Sequence, residues 1–187
     1  MENICKKGKN MKVMVVSPHP DDETLGAGGT LLRLKKEGHQ IYWLNITDAK
    51  EKDGWSASFI KQRKEQIQRV CDFFEFDDTF NLKFPPAKLE MLEKSILIQK
   101  IGSCFQTVEP EWIILPDPND AHSDHKITYE SCISCSKIFR YPYIHRITTM
   151  EILSETDFGR IDNPFVPNYF VNISDYMKSK IQALEIY

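Results

Sequence analysis

Apolar positions along this chain recur with two periods, and the two alternate. Residues 12–17 (KVMVVS) form a short, largely β-branched apolar run, which predicts a strand buried on both faces. Residues 41–47 and 112–115 predict two more such strands, 77–82 a short one and 146–152 another. Between them the period lengthens to that of a helix. Residues 24–36 predict a helix with Leu25, Leu31, Leu32 and Leu34 turned inward and Gly38 closing it. Residues 58–74 predict a second, with Ile60, Ile67, Val70, Cys71 and Phe74 at helical spacing. A third helix is expected over 89–106, broken at Glu109-Pro110, and a fourth over 125–138. A last one, capped by Ser174 or Asp175, is expected to reach Tyr187. Phe84-Pro85-Pro86 reads as a turn, and the Gly-, Pro- and Asn-rich stretch 157–168 as a loop.

Apolar strands alternating with helices predict an α/β fold. Its expected form is a three-layer, Rossmann-like, mostly parallel sheet with helices on both faces. The length of 187 residues fits one domain, with residues 1–11 as an extension ahead of a second methionine, Met11. In such folds ligands bind beyond the carboxyl ends of the strands. That rule singles out three segments: 18–23, 47–55 and 116–125.

Composition narrows the partners. With 24 basic and 27 acidic residues the net charge is −3, so the basic footprint of a nucleic-acid binder is missing. The apolar runs are a handful of residues long, against the roughly 20 that span a membrane, and no signal-peptide core follows the N-terminal lysines. A soluble cytoplasmic protein is the expectation. Five scattered cysteines are no disulfide framework. Cys132-x-x-Cys135 lies in a predicted helix without a second pair, so packing is favoured over a redox or zinc role.

Two of the three segments are dense in chemistry. Pro18-His19-Pro20-Asp21-Asp22-Glu23 packs three possible ligands into four residues, with two prolines stiffening the turn. His19 and Asp22, three apart, can aim at one point. In Asn119-Asp120-Ala121-His122-Ser123-Asp124-His125 two histidines are again three apart, with Asp124 between them. Taken alone, His19-x-x-Asp22 also reads as a polar turn capping a helix. Taken together, the two stretches supply His, Asp and His as three ligands with a fourth position open, the pattern of a catalytic zinc site. Asp21 and His122 are left over as a base and acid pair for a hydrolase.

Both stretches resemble the two signatures of the LmbE-like, or PIG-L, zinc-dependent N-acetylglucosaminyl deacetylases. The resemblance spans residues 12–140 and extends weakly to 180–187. It implies one Zn2+ per chain on His19, Asp22 and His125. It implies Asp21 as general base, and a protonated His122 stabilising the oxyanion or helping the amine depart. Asp124 would orient His122 or His125, and Thr47 and Asp48 would line the sugar pocket. The family places an arginine early in the second helix; the matching position is nearer Gln62, with Arg63 beside it. Members usually continue past the 180–187 helix, so a missing tail is expected here. The implied substrate is a small-molecule N-acetylated amino-sugar conjugate, with a homo-oligomer among the family's habits. Two other readings are a sugar-binding or regulatory protein of the same fold without turnover, which the intact Asp21 argues against, and a two-metal phosphoesterase, for which too few ligands are visible.

Overall fold

The computed structural model describes residues 10–159 and 161–187. The expected extension therefore lies almost wholly outside the described residues. Five strands form one sheet: β1 (Lys12–Ser17), β2 (Gln40–Thr47), β3 (Asp78–Phe84), β4 (Trp112–Pro116) and β5 (Arg146–Met150). Their order is β3-β2-β1-β4-β5, and every paired neighbour is parallel. Helices α1 (Gly28–Lys36), α2 (Ala57–Phe74), α3 (Lys94–Val108), α4 (Ser123–Ser134), α5 (Leu153–Thr156) and α6 (Met177–Leu184) complete the chain.

Side-chain alternation along the strands builds two cores. Val13, Val15, Ile41, Trp43, Trp112 and Ile114 face Leu31 and Leu34 of α1, Val70 and Phe74 of α2 and Ala183 of α6. Met14, Val16, Leu44, Ile46, Ile113 and Leu115 face Leu97, Ile101 and Phe105 of α3 and Cys132 of α4. This is the three-layer arrangement expected. Cys132 and Cys135 are both buried in the second core, and burial pushes their thiols up, Cys135 to about 11. That is packing chemistry, not reactive thiolate chemistry.

The order of strands places a switch point at β1. Its neighbours β2 and β4 are reached by connections over opposite faces, so a crevice opens beyond the carboxyl ends of β1 and β4. Both histidine-rich segments lie there.

Several helix bounds differ from those read off the periodicity, each for a local reason. The first helix begins as a π-helical turn, Glu23–Ala27, in which the Asp21 carbonyl accepts from both Thr24 (3.0 Å) and Leu25 (2.8 Å). The helix expected over 89–106 is split. Leu89–Met91 form a 3-10 turn, Leu92 and Glu93 are extended, and α3 begins at Lys94. The Asp124 carboxylate draws the chain away from the helix by accepting the N–H groups of Ala87 (2.7 Å) and Leu89 (3.1 Å). Helix α4 starts at Ser123, because the His122 ring accepts the Asp124 N–H at 3.1 Å. It stops at Ser134, where the Ser136 hydroxyl bonds back to the Cys132 and Ile133 carbonyls. Neither Ser174 nor Asp175 caps α6 through its side chain. Ser174 turns its hydroxyl to Asn172 Oδ1 at 2.8 Å, and a 3-10 turn precedes the helix. One glycine is required by a close approach: a Cβ at Gly159 would lie 2.3 Å from the Asn119 carbonyl oxygen, on the second histidine-rich loop.

Candidate metal centre and active site

The turn after β1 delivers His19 and Asp22, the loop after β4 delivers His122, and the first turn of α4 delivers His125. Asp22 Oδ2 is the meeting point. It lies 3.4 Å from His19 Nδ1 and 3.3 Å from His125 Nε2, and it accepts the His19 backbone N–H at 2.8 Å. Donor atoms of His19, Asp22 and His125 all lie within 4.8 Å of one another, a spacing at which one ion can be held.

Each imidazole turns its other nitrogen to a buried carboxylate. His19 Nε2 meets Asp124 Oδ2 at 3.0 Å, and His125 Nδ1 meets Asp120 Oδ2 at 2.8 Å. Asp120 is itself held by the Thr156 hydroxyl at 2.7 Å. Carboxylates behind ligating histidines set the ring tautomer and orientation. The donor set suits zinc, and one atom singles out the centre: His125 Nε2 is buried and has no hydrogen-bond partner. A second grouping, His19 with His122 and Asp124, has similar spacing. It is the weaker candidate, because the Asp124 carboxylate is already committed to two backbone N–H groups.

Two of these placements depart from the sequence reading. Asp124 orients His19, not His122 or His125; its carboxylate reaches across to the first loop because the helix start directs it inward. Asp120, which orients His125, had no assigned role, since it sits in a loop without periodicity.

Electrostatics follow from the same contacts. Burial pulls the His19 imidazole down, but its bonds to Asp124 and Asp22 outweigh this and lift it to about 9. Burial likewise opposes protonation of His125, and the bond to Asp120 together with the Asp22 carboxylate 3.3 Å away lift it to about 10. Burial pushes Asp22 up, yet the two imidazoles hold it well below the usual carboxylate range. Asp21 stands apart. Burial, then the charges of Asp22 and Glu23, raise its carboxyl to about 7, with Arg63 pulling the other way.

The backbone of Asp21 has φ 128°, a strained setting for a side chain. It is clamped there. The Asp21 N–H donates to Glu23 Oε2 at 3.1 Å, and the buried Glu23 carboxylate also accepts from the hydroxyls of Thr24 (2.6 Å) and Tyr187 (2.8 Å). Strain held by surrounding hydrogen bonds is common where a side chain must be aimed.

His122 caps α4 with Nδ1 accepting, so the neutral ring carries its proton on Nε2. Burial, then the charge of His19, lowers its pKa. The structure thus favours a neutral imidazole donating through Nε2–H, where the sequence reading expects an imidazolium.

A cavity of about 280 Å3 adjoins the cluster, and Asp21, His122, Thr47, Asp48 and Arg63 all line it. Thr47 has its hydroxyl engaged, donating to the Pro18 carbonyl at 2.8 Å; it anchors the first loop. Asp48 Oδ2 accepts from the Asn81 side chain at 3.2 Å. Arg63, not the exposed Gln62, is the arginine that helix α2 turns inward. It donates to the Pro20 carbonyl at 3.1 Å and lies 4.0 Å from Asp21 Oδ2. Trp55 and Phe59 also line the cavity, and no motif announces them.

Residues 14–136 match the family model described as PIG-L, GlcNAc-PI de-N-acetylase. The chain belongs to the PIG-L family. Among relatives, a diacetylchitobiose deacetylase of Thermococcus kodakarensis is 26% identical over 184 residues, covering 92% of this chain and 67% of that protein. A probable N-acetyl-alpha-D-glucosaminyl L-malate deacetylase 2 of Bacillus cereus is 26% identical over 183 residues, covering 92% of this chain and 80% of that one. In structure, the N,N'-diacetylchitobiose deacetylase of Pyrococcus horikoshii superposes with a TM-score of 0.75 at 20% identity, over 94% of this chain and 69% of that one. At that identity the likeness shows the shared PIG-L fold. Among the described residues, no helix is long and apolar enough to cross a membrane.

Proposed function

We propose that this PIG-L chain is a zinc-dependent N-deacetylase that hydrolyses the N-acetyl group of an amino-sugar conjugate, releasing acetate and the free amine. One observation carries the reading: Asp22 Oδ2, His19 Nδ1 and the unpartnered His125 Nε2 converge beside a cavity that also holds Asp21. The names of both relatives support the substrate class.

His19, Asp22 and His125 would hold the zinc, which supplies a Lewis acid for the amide carbonyl and lowers the pKa of water. The chain's own groups supply the rest. The Asp21 carboxylate takes the proton of the attacking water. Its elevated pKa makes it a stronger base than a solvent-exposed aspartate. His122 donates a hydrogen bond from Nε2–H to the oxygen on which charge develops. Asp21, now protonated, returns the proton to nitrogen as the amine departs. Arg63 holds the Pro20 carbonyl and sets the position of the loop that carries Asp21. Asp120 and Asp124 keep the far nitrogens of the two ligating rings in place.

The test is metal content together with acetate release. Protein purified without added metal should carry about one zinc per chain, and His125→Ala should lose both the zinc and the release of acetate from an N-acetylglucosaminide. A chain that takes up no zinc after reconstitution, or a His125→Ala variant that still deacetylates, removes the reading.

A further inference from the structure

The cavity beside the ligand cluster has a wall that the proposed chemistry does not use. Trp55 and Phe59 stack there with ring centroids 4.7 Å apart and planes 21° from parallel. Ser56, between them in sequence with Ala57 and Ser58, caps α2 by accepting the Phe59 N–H at 3.2 Å. The pair is thus fixed by the start of a helix rather than by core packing, and Trp55 keeps 39% of its surface exposed. A tryptophan held open in a cavity offers a flat apolar face, and the C–H face of a pyranose ring is complementary to it. The cavity itself is small, with room for about one sugar ring. A second ring would extend toward the part of Trp55 that solvent reaches.

The charges of the cavity point the same way. Arg63 is the one lysine or arginine among the described residues that line it. Its guanidinium is engaged by Pro20 and Asp21 and lies 5.5 Å and 5.4 Å from the ring centroids of Phe59 and Tyr187. On the two neighbouring loops, Lys50 donates to the Lys83 carbonyl and Lys88 pairs with Asp53 at 3.3 Å. Asp21 and Asp48 meanwhile contribute two carboxyl groups to the lining. A polycarboxylate attached to the amino sugar would meet acidic groups and cations that are already engaged.

We infer that the Trp55–Phe59 platform selects an uncharged ring next to the N-acetylglucosamine, so the substrate class is a neutral oligosaccharide rather than the glycoside of a small polycarboxylic acid. This rests on the N-deacetylase reading above and assigns the group that the sugar carries.

The experiment measures affinity separately from turnover. Zinc-loaded protein carrying Asp21→Asn, which spares the ligand from hydrolysis, is titrated calorimetrically with N-acetylglucosamine, N,N'-diacetylchitobiose and N-acetylglucosaminyl malate. The neutral disaccharide should bind at least ~10-fold tighter than the malate glycoside. Trp55→Ala should weaken the disaccharide ~10-fold, leave the monosaccharide within about 2-fold, and be largely restored by Trp55→Phe. Equal or tighter binding of the malate glycoside overturns the inference. So does an equal loss for mono- and disaccharide in Trp55→Ala, or no binding of any of the three. Turnover by the wild type separates the two claims. Platform-dependent binding without deacetylation sinks the enzyme and keeps the platform. Deacetylation of disaccharide and malate glycoside with equal kcat/KM does the reverse.

Discussion

The two sides of the crevice are built on different principles. On the β1 and β4 side, the proposed roles fall on buried or half-buried groups with fixed partners: His19 on Asp124, His125 on Asp120, Asp21 clamped through its backbone by Glu23. On the α2 side, Trp55 is open to solvent, and the wall is held by ring stacking and a helix cap. Buried hydrogen-bonded charges tolerate little displacement, because an unpaired one costs several kcal/mol. A stacked, half-exposed wall can change its side chains at small cost. The chemistry is therefore written into rigid, adjacent residues, and the choice of substrate into replaceable ones.

The sharpest way to break this comparison is at Asp21. Asp21→Ala should lower kcat by ~10^3-fold or more while zinc content stays near one per chain, since the residue is outside the ligand set. The rate should rise with pH through the Asp21 titration, because only the carboxylate accepts a proton. Burial lifts that carboxyl toward about 7, whereas Arg63 and any bound cation pull it lower, so the acidic limb should fall below about 7. Loss of that limb in the variant checks the assignment; an unchanged limb assigns it to another group.

Next in size is the coupling between metal and protons. Without metal, His19 and His125 are protonated at neutral pH, being lifted to about 9 and about 10. Ligation needs both rings neutral, so zinc uptake at pH 7 should release about two protons, readable as a buffer-dependent calorimetric enthalpy. The sign for stability follows from His125. Its folded pKa exceeds the unfolded value of about 6.5, so its contribution is complete below about 6.5 and disappears as pH rises through about 10. The melting temperature of the metal-free protein should fall over that window, and that of the zinc-loaded protein should rise relative to it. Asp120→Ala should weaken zinc binding ~10- to 100-fold, the usual cost of removing a carboxylate behind a ligating histidine. An unchanged zinc affinity would mean that Asp120 does not orient the ring.

How much of this was readable beforehand also divides along the crevice. The strands, the sheet type and the convergence of His19, Asp22, His122 and His125 were legible, because three-residue spacing at the ends of apolar strands carries positional meaning. Asp124 as the partner of His19, and Asp120 as that of His125, were not: the first bond depends on how two separate loops meet, the second on how the loop after β4 folds back onto the start of its own helix. The same contact hides the break at Leu92, since the Asp124 carboxylate overrides local helix periodicity by binding Ala87 and Leu89. The cap contact of His122 was hidden for a related reason. Its Nδ1 is committed to capping its own helix, which sequence spacing alone does not reveal. Arg63 over Gln62 was decided by the phase of α2, and Trp55 became visible only once the helix start turned it to the cavity.

The smallest effect tests the flexible side alone. Ser56→Ala removes the hydroxyl that accepts the Phe59 N–H and should cost about 1 kcal/mol of stability, the usual loss for a helix cap. The ligand cluster, held by its own carboxylates, should keep its zinc and its kcat. The platform, whose two rings stand on either side of that cap, should lose definition, so KM for a neutral disaccharide should rise a few-fold with kcat unchanged. A fall in kcat at constant KM would show instead that the start of α2 is coupled to the catalytic loop, with Arg63 and its bond to the Pro20 carbonyl as the connection.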